Sequence, residues 1–196
     1  MVCEDLAVKA IKILAAVAVG FVLIAATSCS TTYERRNPVG ERFPSVVGES
    51  LDGREVRLPE VGAGAPLLLL IGYDQETQFD LDRWLFGLND AQVDVRLFEV
   101  PTIPGMIPRL ISGTIDGGMR RGIPEEDWGL VVTVYGDAAQ IARFTGNADS
   151  LPGRIVLLDG SGEVVFFHDR GYSVGTLRRL QAALARLREQ PTPEQP

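Results

Sequence analysis

Five large apolar residues in succession, Leu67, Leu68, Leu69, Leu70 and Ile71, stand between Pro66 and Gly72. A strand with one wet face alternates apolar and polar side chains. An unbroken run is covered on both faces and belongs in the middle of a sheet with a layer on each side. Around it, Val46, Val47, the Asp52-Gly53 turn and alternating Val56 and Leu58 predict a hairpin. Leu81, Trp84, Leu85 and Leu88 share one helical face. Val93, Val95 and Leu97 alternate into a second strand reaching Pro101, and residues 130–135 read as a third. Residues 103–115 have helical spacing broken by Gly105, Pro108 and Gly113, so an irregular segment is expected. Asp137 is placed to cap a helix carrying Ile141 and Phe144. Residues 155–158, the turn Asp159-Gly160-Ser161-Gly162 and residues 164–167 predict a second hairpin. Ser173 opens a helix with Leu177, Leu180, Leu184 and Leu187 on one stripe. This order predicts a three-layer α/β fold with an added N-terminal β-hairpin, in which residues 67–71 lie centrally between parallel neighbours.

The first 28 residues carry a different signal. Lys9 and Lys12 precede fourteen uncharged residues, 13–26. That length fits a signal-peptide core of about 7–15 and falls short of the ~20 that span a bilayer. The run closes on Ala25-Ala26-Thr27-Ser28-Cys29, which resembles the bacterial lipobox. The resemblance implies cleavage before Cys29, acylation of that cysteine (palmitate among the chains) and a cell-envelope protein facing the periplasm. Ser30 at the following position implies the outer membrane more than the inner. The expected organisation is a lipoprotein signal peptide at 1–28, lipidated Cys29 with a flexible tether at 29–40, a folded domain at 41–188 and a disordered tail at 189–196. Of the two cysteines in the chain, Cys3 is removed and Cys29 is consumed, so the mature domain has no thiol and forms no disulfide. A net charge of −7 argues against nucleic acid, because phosphate contacts need clustered cations.

Phe43-Pro44, the segment Leu51-Asp52-Gly53-Arg54-Glu55-Val56-Arg57-Leu58-Pro59, the strand at 67–71 and Gly153-Arg154-Ile155-Val156-Leu157-Leu158-Asp159-Gly160-Ser161-Gly162-Glu163-Val164 resemble the thioredoxin-like superfamily, in its peroxiredoxin and extracytoplasmic thioredoxin branch. Met119-Arg120-Arg121-Gly122-Ile123-Pro124 and Gly171 add a similarity to the mitochondrial ATP synthase assembly factor family, a redox-inactive group. That likeness implies a binding or assembly module with a protein partner. Redox relatives carry cysteine after the first central strand, where a helix N-terminus favours the thiolate. Here the window reads Tyr73-Asp74-Gln75-Glu76-Thr77-Gln78. The superfamily's cis-proline position falls on Gly153, with Pro152 before it. Copper-delivering relatives need paired cysteines and a histidine; the single histidine here is His168.

The candidate residues are therefore the degenerate window Tyr73, Asp74, Glu76, Gln78 and Gly153, with Arg120 and Arg121 as a candidate partner contact and Cys29 as the lipid attachment point. No catalytic residue, metal site or cofactor is expected. Each candidate has an ordinary reading. Asp74 and Glu76 complement a helix dipole, Arg120 and Arg121 form a solvated loop pair, His168 is solvated, and Trp84 and Trp128 belong to the core. The alternative is an enzyme of non-thiol chemistry using a pocket after Tyr73, with Asp74, Glu76 or Arg121 converging on a concave site.

Overall fold

The computed structural model describes residues 31–105 and 110–189. The expected signal peptide at 1–28, Cys29, Ser30 and residues 190–196 of the expected tail lie outside them. The strands are β1 (Val46–Ser50), β2 (Glu55–Leu58), β3 (Leu67–Gly72), β4 (Arg96–Pro101), β5 (Val132–Thr133), β6 (Arg154–Leu158) and β7 (Val164–His168). The described helices are α1 (Gln78–Asp90), α2 (Ser112–Gly122), α3 (Ala138–Thr145) and α4 (Val174–Glu189).

β3 is buried at every position, as an unbroken apolar run requires. Its odd-numbered residues Leu67, Leu69 and Ile71 join Phe43, Val46, Leu58, Phe98, Val132, Ile141 and Val156 in one core. Leu68 and Leu70 join Trp84, Leu88, Ile155, Leu177 and Leu184 in the other. The layers are thus α1 with α4, the sheet, and the hairpin with α3. Each fully buried leucine contributes about 1.5–3 kcal/mol of transfer free energy.

The main sheet has the order β4-β3-β6-β7, and β2-β1-β5 form a second sheet. β3 is indeed central, but only one neighbour is parallel. It pairs parallel with β4 and antiparallel with β6. The reason lies in the return path. β5 runs parallel beside β4 through bridges at Glu99–Val131 and Thr102–Val134, so the chain reaches α3 and then β6 at the end where β3 finishes. β5 is also shorter than the expected strand 130–135. Its residues Val132 and Thr133 pair with Ser50 and Glu49 of β1, whereas Val131 bridges to Glu99 of β4 and Val134 to Thr102 just after it.

Three other local readings change. Residues 112–122 form helix α2 despite the glycines. Asp137 precedes α3 but its carboxylate does not cap the helix; it accepts from the Val47 amide at 2.9 Å and from Gln140. The stretch 31–40, expected as a flexible tether, is built into the domain from Tyr33 onward. The Tyr33 amide donates to Asn147 Oδ1 at 2.7 Å, and its carbonyl accepts from the Asn147 and Ala148 amides. Pro38 is buried, and the Gly40 amide donates to the Val164 carbonyl. Ser173 does cap α4, its hydroxyl accepting from the Thr176 amide at 3.1 Å.

Candidate functional site

The window after β3 forms at the meeting of three segments: the β3–α1 connection, the 146–153 loop before β6, and the 169–172 turn before α4. Asp74 is the N-cap of a short 3-10 turn, accepting from the Glu76 amide at 2.9 Å, while its own amide donates to Thr77 Oγ1. Thr77 is fully buried and donates to the Ser150 carbonyl at 2.8 Å. Glu76 is exposed. Gln78 turns to Asp82 on the next turn of α1, donating at 2.9 Å. Asp80, from the first turn of α1, accepts the amides of Gly153 (3.0 Å) and Tyr172 (2.8 Å) and so ties two of the segments together.

Gly153 is required by close approach. A Cβ there would lie 2.3 Å from Leu81 Cδ2, so α1 seats directly on the backbone. Gly146 is required by conformation as well, with φ +74° and the Glu34 carbonyl 2.4 Å from a Cβ position.

The residue that dominates the window is Arg154, which has no exposed surface. Its guanidinium donates to the carbonyls of Gly146 (2.8 Å and 3.1 Å), Asp149 (2.6 Å) and Pro152, and its Cζ lies 5.2 Å from the centre of the Tyr73 ring. Tyr73 in turn pairs its hydroxyl with Thr145 Oγ1 at 2.6 Å. Burial pushes the Tyr73 hydroxyl up to about 12, against the opposing pull of Thr145 and Arg154. Burial also lowers the Arg154 pKa. The space beside Tyr73 is therefore filled by an arginine whose donors turn inward to backbone. A charged residue opening an otherwise apolar run, Arg154-Ile155-Val156-Leu157-Leu158, was the available signal.

Of the sequence-chosen residues, Tyr73, Asp74, Gln78 and Gly153 come together here, and each polar group among them bonds within the protein. Arg120 and Arg121 lie elsewhere, in the last turn of α2 rather than in a solvated loop. Arg120 donates through Nε to the Leu51 carbonyl at 2.6 Å and lies 5.8 Å from the Trp128 ring centre. With Asp52, Gly53, Glu125 and Trp128 it lines an open groove of about 520 Å³. Arg54 and Ser50 hold the Asp52 carboxyl down at about 2. Asp74, Glu76 and Arg121 do not line this groove, so the acids chosen from the sequence do not share a concavity with Arg120. Trp84 is core, but Trp128 is only half-buried and donates to the Ile123 carbonyl. His168 is packed rather than solvated, meeting the Trp84 ring edge-on and the Gly171 carbonyl at 2.8 Å. Among the described residues no group of three or more histidine, cysteine, aspartate or glutamate side chains is placed to hold a metal ion.

A buried acid that the sequence did not single out is Glu99, on the α1 side of β4. Burial raises its pKa above the ordinary 4.5, Gln78 opposes the shift and Asp82 adds to it. An acid whose folded pKa is raised binds more protons folded than unfolded, so stability falls as pH rises from the unfolded value through the folded one. Glu99→Gln is expected to melt higher than the parent at neutral pH and to match it below pH 4.5. Thermal denaturation across that range checks this; equal melting at neutral pH overturns it.

Solved structures similar to this one include thioredoxin-like proteins. The SCO1/SenC family lipoprotein from Bacillus anthracis aligns at 13% identity over 80% of this chain and 100% of that one, with a TM-score of 0.53. BsSco, a member of the Sco family of cytochrome c oxidase assembly proteins, aligns at 11% identity over 79% and 98%, with a TM-score of 0.55. The exposed lipoprotein thioredoxin of Streptococcus pneumoniae aligns at 13% identity over 71% and 98%, with a TM-score of 0.50. The chain thus has the thioredoxin-like fold. No family model and no curated protein matches it. Among the described residues no helix is long and apolar enough to cross a membrane.

Proposed function

We propose that the chain is a membrane-tethered, redox-inactive thioredoxin-like lipoprotein that serves as a binding or assembly module in the cell envelope. The observation that carries the reading is the window itself: the redox position holds Tyr73 to Gln78, no cysteine follows Cys29, and Arg154 fills the neighbouring space with its donors engaged by three carbonyls. Thiol–disulfide exchange needs a thiolate to attack sulfur, and thiol peroxidase chemistry begins with a thiolate becoming a sulfenic acid. Carboxylate and amide groups do neither. The anchor rests on the lipobox-like end of residues 13–29 and agrees with two structural neighbours that are lipoproteins. Assembly work agrees with the Sco neighbour and with the likeness of residues 119–124 to the ATP synthase assembly factor family. Ser30, at the position after the lipid attachment point, favours the outer membrane over the inner.

The test uses purified protein with dithiothreitol and insulin, or with peroxide, beside a thioredoxin control. No turnover above the buffer blank is expected. Turnover that survives removal of contaminating thioredoxin overturns the reading.

A further inference from the structure

Tyr33 is already tied into the folded unit, and it stands only four residues after Cys29. Four residues reach at most about 14 Å when fully extended. A domain of this size has a radius of gyration of about 15 Å. Acyl chains on Cys29 sit in the hydrocarbon core, beneath a headgroup layer of about 5–8 Å on each side. So short a leash leaves Tyr33 no more than about 6–9 Å above the headgroup layer, less than the radius of the domain, so the part of the surface nearest Tyr33 faces the bilayer.

That part is the window end. Tyr33 bonds to Asn147 and Ala148, Arg35 pairs with Asp149 at 2.7 Å and approaches Asp169 at 3.7 Å, and the same loop receives Thr77 at Ser150 and Arg154 at Asp149. Two large apolar side chains stand uncovered at this end. Leu151, next to Ser150, is 50% exposed, and Phe79, two residues after Thr77, is 71% exposed. Among the described residues nothing buries them, and Thr77 and Ser150 beside them are hydrogen-bonded to each other. Uncovered apolar side chains on a surface held against a bilayer are what interfacial insertion uses; aromatic and leucine side chains enter the boundary by about 5–10 Å.

We propose that the window end of the domain docks on the lipid surface, with Leu151 and Phe79 entering the headgroup boundary. This rests on the lipid anchor proposed above. The surface that redox relatives present to protein thiols is then turned to the membrane.

The acylated protein offers a clean test, because its one remaining cysteine is blocked. Leu151→Cys, Phe79→Cys and Asp90→Cys are labelled with an environment-sensitive fluorophore. Asp90 ends α1, about 16 Å along the helix axis from Phe79. Each labelled protein is placed in vesicles of phosphatidylethanolamine and phosphatidylglycerol carrying a headgroup spin label. Quenching at positions 151 and 79 is expected to exceed that at position 90 several-fold, with a blue-shifted emission. A flexible insertion between Ser30 and Thr31 is expected to shrink the difference. Equal quenching at all three positions, with acylation verified by intact mass, overturns the docking while leaving the anchor. Shielding of positions 151 and 79 in native membranes but not in vesicles also overturns it, in favour of a protein occupant. An unacylated Cys29 in soluble protein overturns anchor and docking together.

Discussion

Aspartate in place of Leu69 is expected to unfold the domain. Leu69 is fully buried at the middle of β3, opposite Phe98 on β4 and Val156 on β6, and faces the core shared with the hairpin and α3. The substitution removes a packed side chain, which in cores costs about 2–5 kcal/mol. It also puts a carboxylate among apolar groups, with no donor in reach other than amides already paired in the sheet. Against a typical total stability of about 5–15 kcal/mol, the sum leaves little or no folded protein at neutral pH. Circular dichroism and a thermal melt read the outcome. A variant that melts within a few degrees of the parent removes β3 from the sheet centre and the architecture with it.

The reason Leu69 can be chosen from sequence is that a run of apolar residues has one structural solution, whereas the partners of that run have several. Strand position, both hairpins and the stripes of α1 and α4 follow from period and turn chemistry, which are local. The direction of β6 does not. It depends on where β5 and α3 leave the chain, and the residues concerned, Val131 to Val134, divide their hydrogen bonds between two sheets. Asp137 shows the same limit at one side chain. It occupies a cap position, yet the Val47 amide from a strand ninety residues away takes its carboxylate.

The candidate window was legible as a place and not as an arrangement. The position after β3 and the glycine before β6 are fixed by the fold's order, so Tyr73, Asp74, Gln78 and Gly153 could be chosen. Arg154, Asp80 and Thr77 could not, because their roles are bonds to backbone groups that only the folded loop brings near. Arg120 and Trp128 illustrate a related gap. Their shared neighbour is Leu51 just after β1, sixty-nine residues from Arg120, whose carbonyl accepts from Arg120 and whose amide donates to the Trp128 carbonyl, and no spacing in the sequence signals that contact. Glu99 was hidden by its strand, where a single acid among Phe98 and Val100 reads as an ordinary outward residue.

Arg154→Met is expected to open the 146–153 loop and to cost several kcal/mol, about 1–3 for each buried carbonyl it leaves unpaired. Methionine keeps apolar bulk but leaves the carbonyls of Gly146, Asp149 and Pro152 without their donor. Each buried acceptor left unpaired costs about 1–3 kcal/mol, so letting water in is the cheaper outcome. Arg154→Lys is expected to recover only part of the loss, since a single ammonium cannot span three carbonyls as a planar fork does. Tyr73 reports which outcome occurs. In the parent its hydroxyl titrates near 12 rather than 10, so the folded state binds the extra proton and stability declines as pH rises from 10 to 12. If the loop opens, water reaches Tyr73, its pKa falls back toward 10 and that decline disappears. If the loop stays closed, loss of the nearby positive charge moves the pKa higher still. Ultraviolet difference titration of the variant, with Tyr73→Phe subtracted to isolate this tyrosine, separates the two. A fall in the Tyr73 value together with a lower melting temperature is the expected result; an unchanged melting temperature overturns Arg154 as the residue that holds the window shut.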